Sequence, residues 1–264
     1  VEIEKIERQL MKKWNIQPKT KDVFGAPLAY LSFDNRNGNQ IPNHINSDKH
    51  ASTNENNIQI EGKVGKGIQF SGDDAMRFPD EFGNFTRHHA FSMAFWIKPT
   101  QSMDRAVVVK RSQAWTDAAS RGYEILIEDD KLSAALIHFW PGNAMRIRSK
   151  QKLPLNEWTH VCLRYDGSSQ AQGLQLYENG TLAMVETVRD KLTREITGGG
   201  SPFLAFAERM RDRGFKKGMM DEFYLYDRVL TPSEIETLAG IAEKVSQEDE
   251  ISILLQTAVQ NSRS

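Results

Sequence analysis

Apolar and polar residues alternate along most of this chain. Phe91, Met93, Phe95 and Ile97 interleave with Ser92, Ala94, Trp96 and Lys98. A period of two puts each set on its own face of a strand. Short strand patterns follow at residues 107–110, 123–128, 132–139, 158–165, 174–177, 182–185 and 203–207. The last runs through residues 219–226. There Met220, Glu222, Tyr224 and Tyr226 fall on one side, with Asp221, Phe223, Leu225 and Asp227 on the other. Turn signals separate the strands: Asp129–Asp130, Asp166–Gly167 and Asn179–Gly180, the last a strong hairpin signal. Short strands with a turn every 8–12 residues or roughly so predict an all-β fold, a two-sheet antiparallel jelly-roll sandwich.

The period changes at the ends. Ile3, Ile6, Leu10 and Trp14 recur at helical spacing over residues 1–15. Residues 16–27, with Pro18, Gly25 and Pro27, read as a linker. Residues 241–264 read as a polar helix with Val245, Ile251, Leu254, Leu255 and Ala258 on its apolar side. Thr231, Pro232, Ser233 and Glu234 make a helix start: hydroxyl cap, proline at the first position, glutamate three residues after the cap. The expected organisation is an N-terminal helix and linker (1–27), a β domain (28–240) and a C-terminal helix (241–264), so the sandwich carries short terminal α-helices. The asparagine-rich tract at 35–57 reads as loop, because Asn, Asp and Gly favour turns. Trp96 and Trp158, inside strand patterns, are expected in the core.

The 264 residues carry 34 basic and 35 acidic side chains. This balance gives no global charge excess to attract nucleic acid or an anionic membrane surface. One cysteine, Cys162, precludes an intrachain disulfide. No apolar run approaches the roughly 18 residues of a membrane helix, so membrane insertion is not expected. The first residues lack the apolar centre of a signal peptide and an initiator methionine, which suggests a piece of a longer chain.

Candidate chemistry narrows from there. Glycosidases set two carboxylates roughly 5–9 Å apart across the scissile bond. Glu124 and Glu128 share one strand face, but four residues of strand separate them by about 13–14 Å. Solvated strand-face acids are the expectation. Asp221 and Glu222 point to opposite faces, and Asp129–Asp130 is a turn. The histidines and Cys162 lack zinc spacing. A sugar site pairs an aromatic plane with polar groups that orient hydroxyls. Trp115, His138, Trp140, Arg146 and Arg148 fall on or beside neighbouring strands and are the candidate ligand residues. Arg105, Lys110, Arg111 and Arg121 make their region basic, which would suit an acidic or sulfated glycan. The competing reading is that the tryptophans cover sandwich edges and the arginines are solvated.

Six segments in order, LSFDNRNGN (31–39), GKGIQFSGDD (65–74), FSMAFWIKP (91–99), NEWTHVCLRYDG (156–167), LQLYENG (174–180) and MDEFYLYDRVLTPSEI (220–235), resemble the laminin-G-like, concanavalin-A-like jelly-roll modules of extracellular proteins. The segment LIHFWPGNAMRIRSK (136–150) further resembles the copy in large exported planctomycete proteins that also carry cytochrome-c-like domains. The resemblance implies an extracellular or periplasmic location and a calcium held between the first and last strands. Asp221 would be its main ligand, with Asp34 second and an amide oxygen from Asn35 or Asn37. Asn35 stands where the commoner pattern has a second acid, one charge fewer. Hydrolases of this fold carry a run of alternating acids on a central strand, which this chain lacks. The expected function is non-catalytic recognition within a larger exported protein, with a glycan or neighbouring domains as partner. The alternatives are a glycoside hydrolase or lyase of the same fold and a structural docking module.

Overall fold

The computed structural model describes residues 25–79, 81–112, 121–198, 203–208 and 214–240. The helices expected at 1–15 and 241–264 lie outside the described residues, as does Trp115. In chain order the strands are β1 (Ala29–Leu31), β2 (Gln40–Ile41), β3 (Ala51–Ser52), β4 (Ile58–Glu61), β5 (Lys66–Gln69), β6 (Met76–Arg77), β7 (Phe91–Lys98), β8 (Arg105–Ser112), β9 (Gly122–Glu128), β10 (Lys131–Phe139), β11 (Asn143–Ser149), β12 (Thr159–Tyr165), β13 (Leu174–Glu178), β14 (Thr181–Leu182), β15 (Val185–Asp190), β16 (Ala205–Phe206) and β17 (Met219–Tyr226). One helix, α1 (Pro232–Leu238), follows.

The strands form two antiparallel sheets. The first runs β14-β13-β12-β7-β17-β5-β4, with β1 also paired to β17; the second runs β15-β11-β10-β9-β8-β16-β6-β3-β2. Inward residues of both, among them Phe95, Leu163 and Leu225 from the first and Ile125, Leu136 and Met145 from the second, make one buried apolar layer between them. This is the jelly-roll sandwich that the alternation predicts. The last strand closes beside the first, with Ala29 opposite Leu225 and Leu31 opposite Phe223.

Turns fall where the sequence signals them. Asp129 and Asp130 adopt φ of 52° and 65°, and Asn179 and Gly180 φ of 49° and 78°, the left-handed pairs of tight hairpins. After β14 the chain leaves the first sheet, and Val185 opens β15 on the edge of the second. Thr231 caps α1: its hydroxyl accepts from the Glu234 amide at 3.3 Å and its own amide donates to Glu234 Oε2 at 2.7 Å. The Asn-rich tract is loop around two short strands, gathered on Asp74. That carboxylate accepts from the Asn54 and Asn56 amides and the Ser71 hydroxyl. Those bonds, Ser71's foremost, hold its carboxyl below the usual range.

Two expectations need correction. Trp96 is half-buried and stands outside the inter-sheet layer, edge-on to His160 at 5.3 Å with Lys63 Nζ 4.5 Å from its ring centre. Trp158 is half-buried too. Strand periodicity places a residue on a face; it does not say which face is inside. The alternation expected for β17 also breaks. Asp221 stands opposite Trp96 and Tyr224 opposite Ala94, so β17 spends one residue more than β7. Glu222 absorbs the extra residue with φ of 51°, a β-bulge. Met220 therefore joins Phe223 and Leu225 in the inter-sheet core, while Tyr224 and Tyr226 pack on the outside with Leu230 and Ile235. The carboxylate of Glu222 takes hydrogen bonds from the hydroxyls of Tyr30 (2.9 Å) and Tyr224 (3.0 Å).

Candidate functional site

The densest chemistry lies on the outer face of the second sheet. Ala135 on β10 stands opposite Glu124 on β9 and opposite Arg146 on β11. Adjacent strands lie about 4.8 Å apart, so an arginine can reach two strands over when the residue between is as small as alanine. Arg146 does so. It donates to Glu124, and its Nη1 donates to Glu128 Oε1 at 2.8 Å. One guanidinium thus bridges two carboxylates four residues apart on β9. The expectation of solvated, separate acids is overturned: Glu124 is 4% exposed, Arg146 4%, and both carboxylates fold toward the same cation.

Trp140 completes this arrangement. It packs on Ala135, Ile137 and Ala144, a small apolar patch on the same outer face. Its ring centre is 4.2 Å from the Arg146 guanidinium carbon. The indole π face attracts the cation, while the Arg146 Nε is buried without a hydrogen-bond partner. Trp140 itself is half-buried, and Phe139 beside it is 50% exposed. The result is an aromatic plane held from beneath by the sheet and from one side by a clamped arginine.

The other candidate ligand residues lie around it. Arg148, two residues along β11, pairs with Glu186 of β15 at 2.7 Å and with Asp129 at 3.6 Å. The Glu186 bond raises the Arg148 pKa and lowers that of Glu186. His138 Nδ1 meets the Glu195 carbonyl at 2.6 Å. Arg189 donates to the Pro141 carbonyl at 2.7 Å. Further across the sheet, Arg77 and Lys110 share Glu208. Four cations of this face, Arg146, Arg148, Arg77 and Lys110, are thus paired with acids of the protein itself.

The expected calcium ligands fall elsewhere, around the β4–β5 hairpin. Asp221 Oδ2 accepts from the Val64 amide at 2.9 Å, and Asp34 Oδ1 accepts from the Lys66 amide at 2.9 Å. Gly62 and Gly65 permit this approach. A Cβ at Gly62 would lie 2.6 Å from Asp221 Oδ2, and one at Gly65 would lie 2.1 Å from Asp34 Oδ1. Asp221 has no exposed surface. Burial pushes its carboxyl up to about 7, with the charge of Glu222 adding to the effect and the Val64 amide opposing it. Asn37 is exposed, its backbone paired with that of Gln40. The donors converging here are two carboxylates and the backbone of a tight turn. Calcium takes six to eight oxygens, and among the described residues no group of three or more His, Cys, Asp or Glu forms a metal-holding cluster. The two carboxylates supply at most part of such a shell, and both oxygens of Asp221 accept from backbone amides, Oδ1 from Glu222 at 2.8 Å and Oδ2 from Val64 at 2.9 Å.

Of the remaining titratable groups, His160 is pushed down to about 3 by burial, and burial also raises the Cys162 thiol. Neither is poised for chemistry near neutral pH. No helix among the described residues is long and apolar enough to cross a membrane.

Comparison with known proteins matches this architecture. The adhesion G-protein coupled receptor D1 of Homo sapiens is 23% identical over 189 residues, covering 67% of this chain. The chain spans 20% of that relative's length. Among solved structures, the binding domain of Paraclostridial Mosquitocidal Protein 1 aligns with TM-score 0.60 and 16% identity, over 81% of this chain and 51% of that one. Domain 4 of AbnA, an extracellular arabinanase of Geobacillus stearothermophilus solved with arabinotriose, aligns with TM-score 0.54 and 21% identity, over 82% of this chain and 99% of that one. A Trypanosoma rangeli sialidase aligns with TM-score 0.58 and 16% identity, over 81% of this chain and 32% of that one. At these identities the likeness is one of fold. The family model described as the concanavalin A-like lectin/glucanases superfamily (Laminin_G_3) matches residues 70–236, well over half the sequence, and the chain belongs to that family.

Proposed function

We propose that this chain is a non-catalytic recognition module that binds carbohydrate, carried within a larger exported protein of the kind that residues 136–150 resemble. The observation that carries the reading is Trp140: partly exposed, seated on a small apolar patch, and braced by an arginine that the buried Glu124 and the partly buried Glu128 fix in place. A rigid aromatic plane offers the apolar face of a sugar ring a surface, and fixed polar groups beside it orient hydroxyls. The arginine also argues against hydrolysis by Glu124 and Glu128. A glycosidase keeps the space between its two carboxylates open for the scissile bond and a water; here a guanidinium fills it. Structures of similar fold include a toxin binding domain and an arabinanase domain solved with arabinotriose, which fits a recognition role.

A glycan array is the direct test. The chain should give hits, and Trp140→Ala should weaken them about tenfold or more, the equivalent of roughly 1.4 kcal/mol. An array without hits, or hits indifferent to Trp140→Ala, would leave the docking module as the better reading.

A structural calcium at the β4–β5 hairpin is a second, separate proposal. It is favoured by the convergence of Asp34 and Asp221 on one turn, with Asp221 fully buried. A cation there would offset the cost of burying that charge. Chelator should then lower the melting temperature and added calcium should restore it; identical melts in both conditions would remove calcium from the account.

A further inference from the structure

We infer that the Trp140 platform selects uncharged sugars. This rests on the carbohydrate-binding reading above and narrows its ligand. The region looks basic in the sequence, and an acidic or sulfated glycan would follow from that. The sheet register changes the inference. It lines up Arg146, Ala135, Glu124, Lys110, Ala205 and Arg77 across six neighbouring strands. Along this line the cations already have acids of the protein itself. Arg146 is held by Glu124 and Glu128, and Lys110 and Arg77 by Glu208. Beside the line, Arg148 is held by Glu186 and Asp129, and Arg105 Nε lies 3.9 Å from Glu128.

An incoming sulfate or carboxylate seated against the Trp140 ring meets Arg146, the cation stacked on it, and would take that guanidinium from its partners. Glu124, with a side chain 5% exposed, would then be left buried without its cation, the costly half of any buried ion pair. A sugar hydroxyl requires no such exchange. It can accept from, or donate to, groups that remain paired, because a carboxylate oxygen has lone pairs to spare. The open part of the Trp140 ring asks only for a C–H face, which neutral pyranoses and furanoses present. The same charge pairing predicts weak salt dependence, since no net opposite charges approach one another.

The test uses the full chain and two probes: neutral arabino-, xylo- and gluco-oligosaccharides, and heparin-derived oligosaccharides. Calorimetry should detect the neutral probes, with affinity changing less than about twofold between ~0.05 and ~0.5 M sodium chloride. Heparin oligosaccharides should not bind. Trp140→Ala should weaken the neutral ligand about tenfold, and Trp140→Phe, which keeps a ring on the same patch, should weaken it less. Glu186→Gln removes the acid that holds Arg148 at the exposed rim, and should create heparin binding that the unmodified chain lacks. Binding confined to heparin, and weakened by Trp140→Ala, would overturn the selectivity while leaving a carbohydrate site in place. Absence of binding to every sugar tested would overturn both readings. Neutral binding untouched in both Trp140 variants would place the site elsewhere and overturn this one.

Discussion

Arg146→Met is expected to lower the unfolding free energy by about 3–5 kcal/mol, the usual cost of stranding buried charge. Methionine keeps the aliphatic stem and the contact with Trp140, so packing changes little. What is lost is the cation that Glu124 and Glu128 share. Glu124 has almost no solvent to fall back on; Glu128, with a side chain 16% exposed, has more. For a chain of this size, about 2–4 °C of melting temperature goes with each kcal/mol, so the melt should shift by about 10 °C. Adding Glu124→Gln and Glu128→Gln to Arg146→Met should recover most of the loss, because the stranded charges go with them. That recovery separates an electrostatic cause from a packing one. If the triple variant melts as low as the single, the bridge is not what stabilises this face.

Phe223→Ala should cost a similar amount, about 3–5 kcal/mol, for a different reason. Phe223 has no exposed surface. Its ring meets Phe206 edge-on at 4.7 Å, lies 5.9 Å from Phe95 and 6.4 Å from Phe78. It ties β17 and β7 of one sheet to β16 of the other. Truncation leaves a void walled by rings that cannot collapse onto it, since each is fixed by its own strand. Urea denaturation should show a lower midpoint with an unchanged slope, the sign of lost stability without a changed unfolded state. A loss below about 1 kcal/mol would mean the two sheets close over the gap, and that this aromatic cluster is not the keystone of the sandwich.

The two variants differ in how visible their cause was in the sequence. Phe223 lies in a strand pattern on the same face as Leu225, which alternation shows, and the structure makes that face the inner one. The Arg146 bridge was hidden by the register. The turn at Asp129–Asp130 sets Glu124 opposite Ala135, and both were legible. The step from β10 to β11 was not. The pairing shifts between Ile137 and Phe139, and that irregularity puts Arg146, not Ile147, opposite Ala135. A slip of one residue in a strand moves every side chain to the other face. Without the shift Arg146 would point into the core. The bulge at Glu222 acts the same way on β17, moving Met220 to the face that strict alternation denies it.

The sequence by itself determined the class of fold, the positions of the tight hairpins and the capping box of α1. All of these follow from local rules: period two, left-handed turn residues, a hydroxyl followed three residues later by a glutamate. The tertiary structure alone decided which acids meet which bases. Glu124, Glu128 and Arg146 come from strands two apart, and Asp34 and Asp221 reach the same hairpin from opposite ends of the chain. Such pairings depend on register and bulges, and a bulge sets two residues of one strand against one of its partner. That is a property of the paired strands, which no single segment carries.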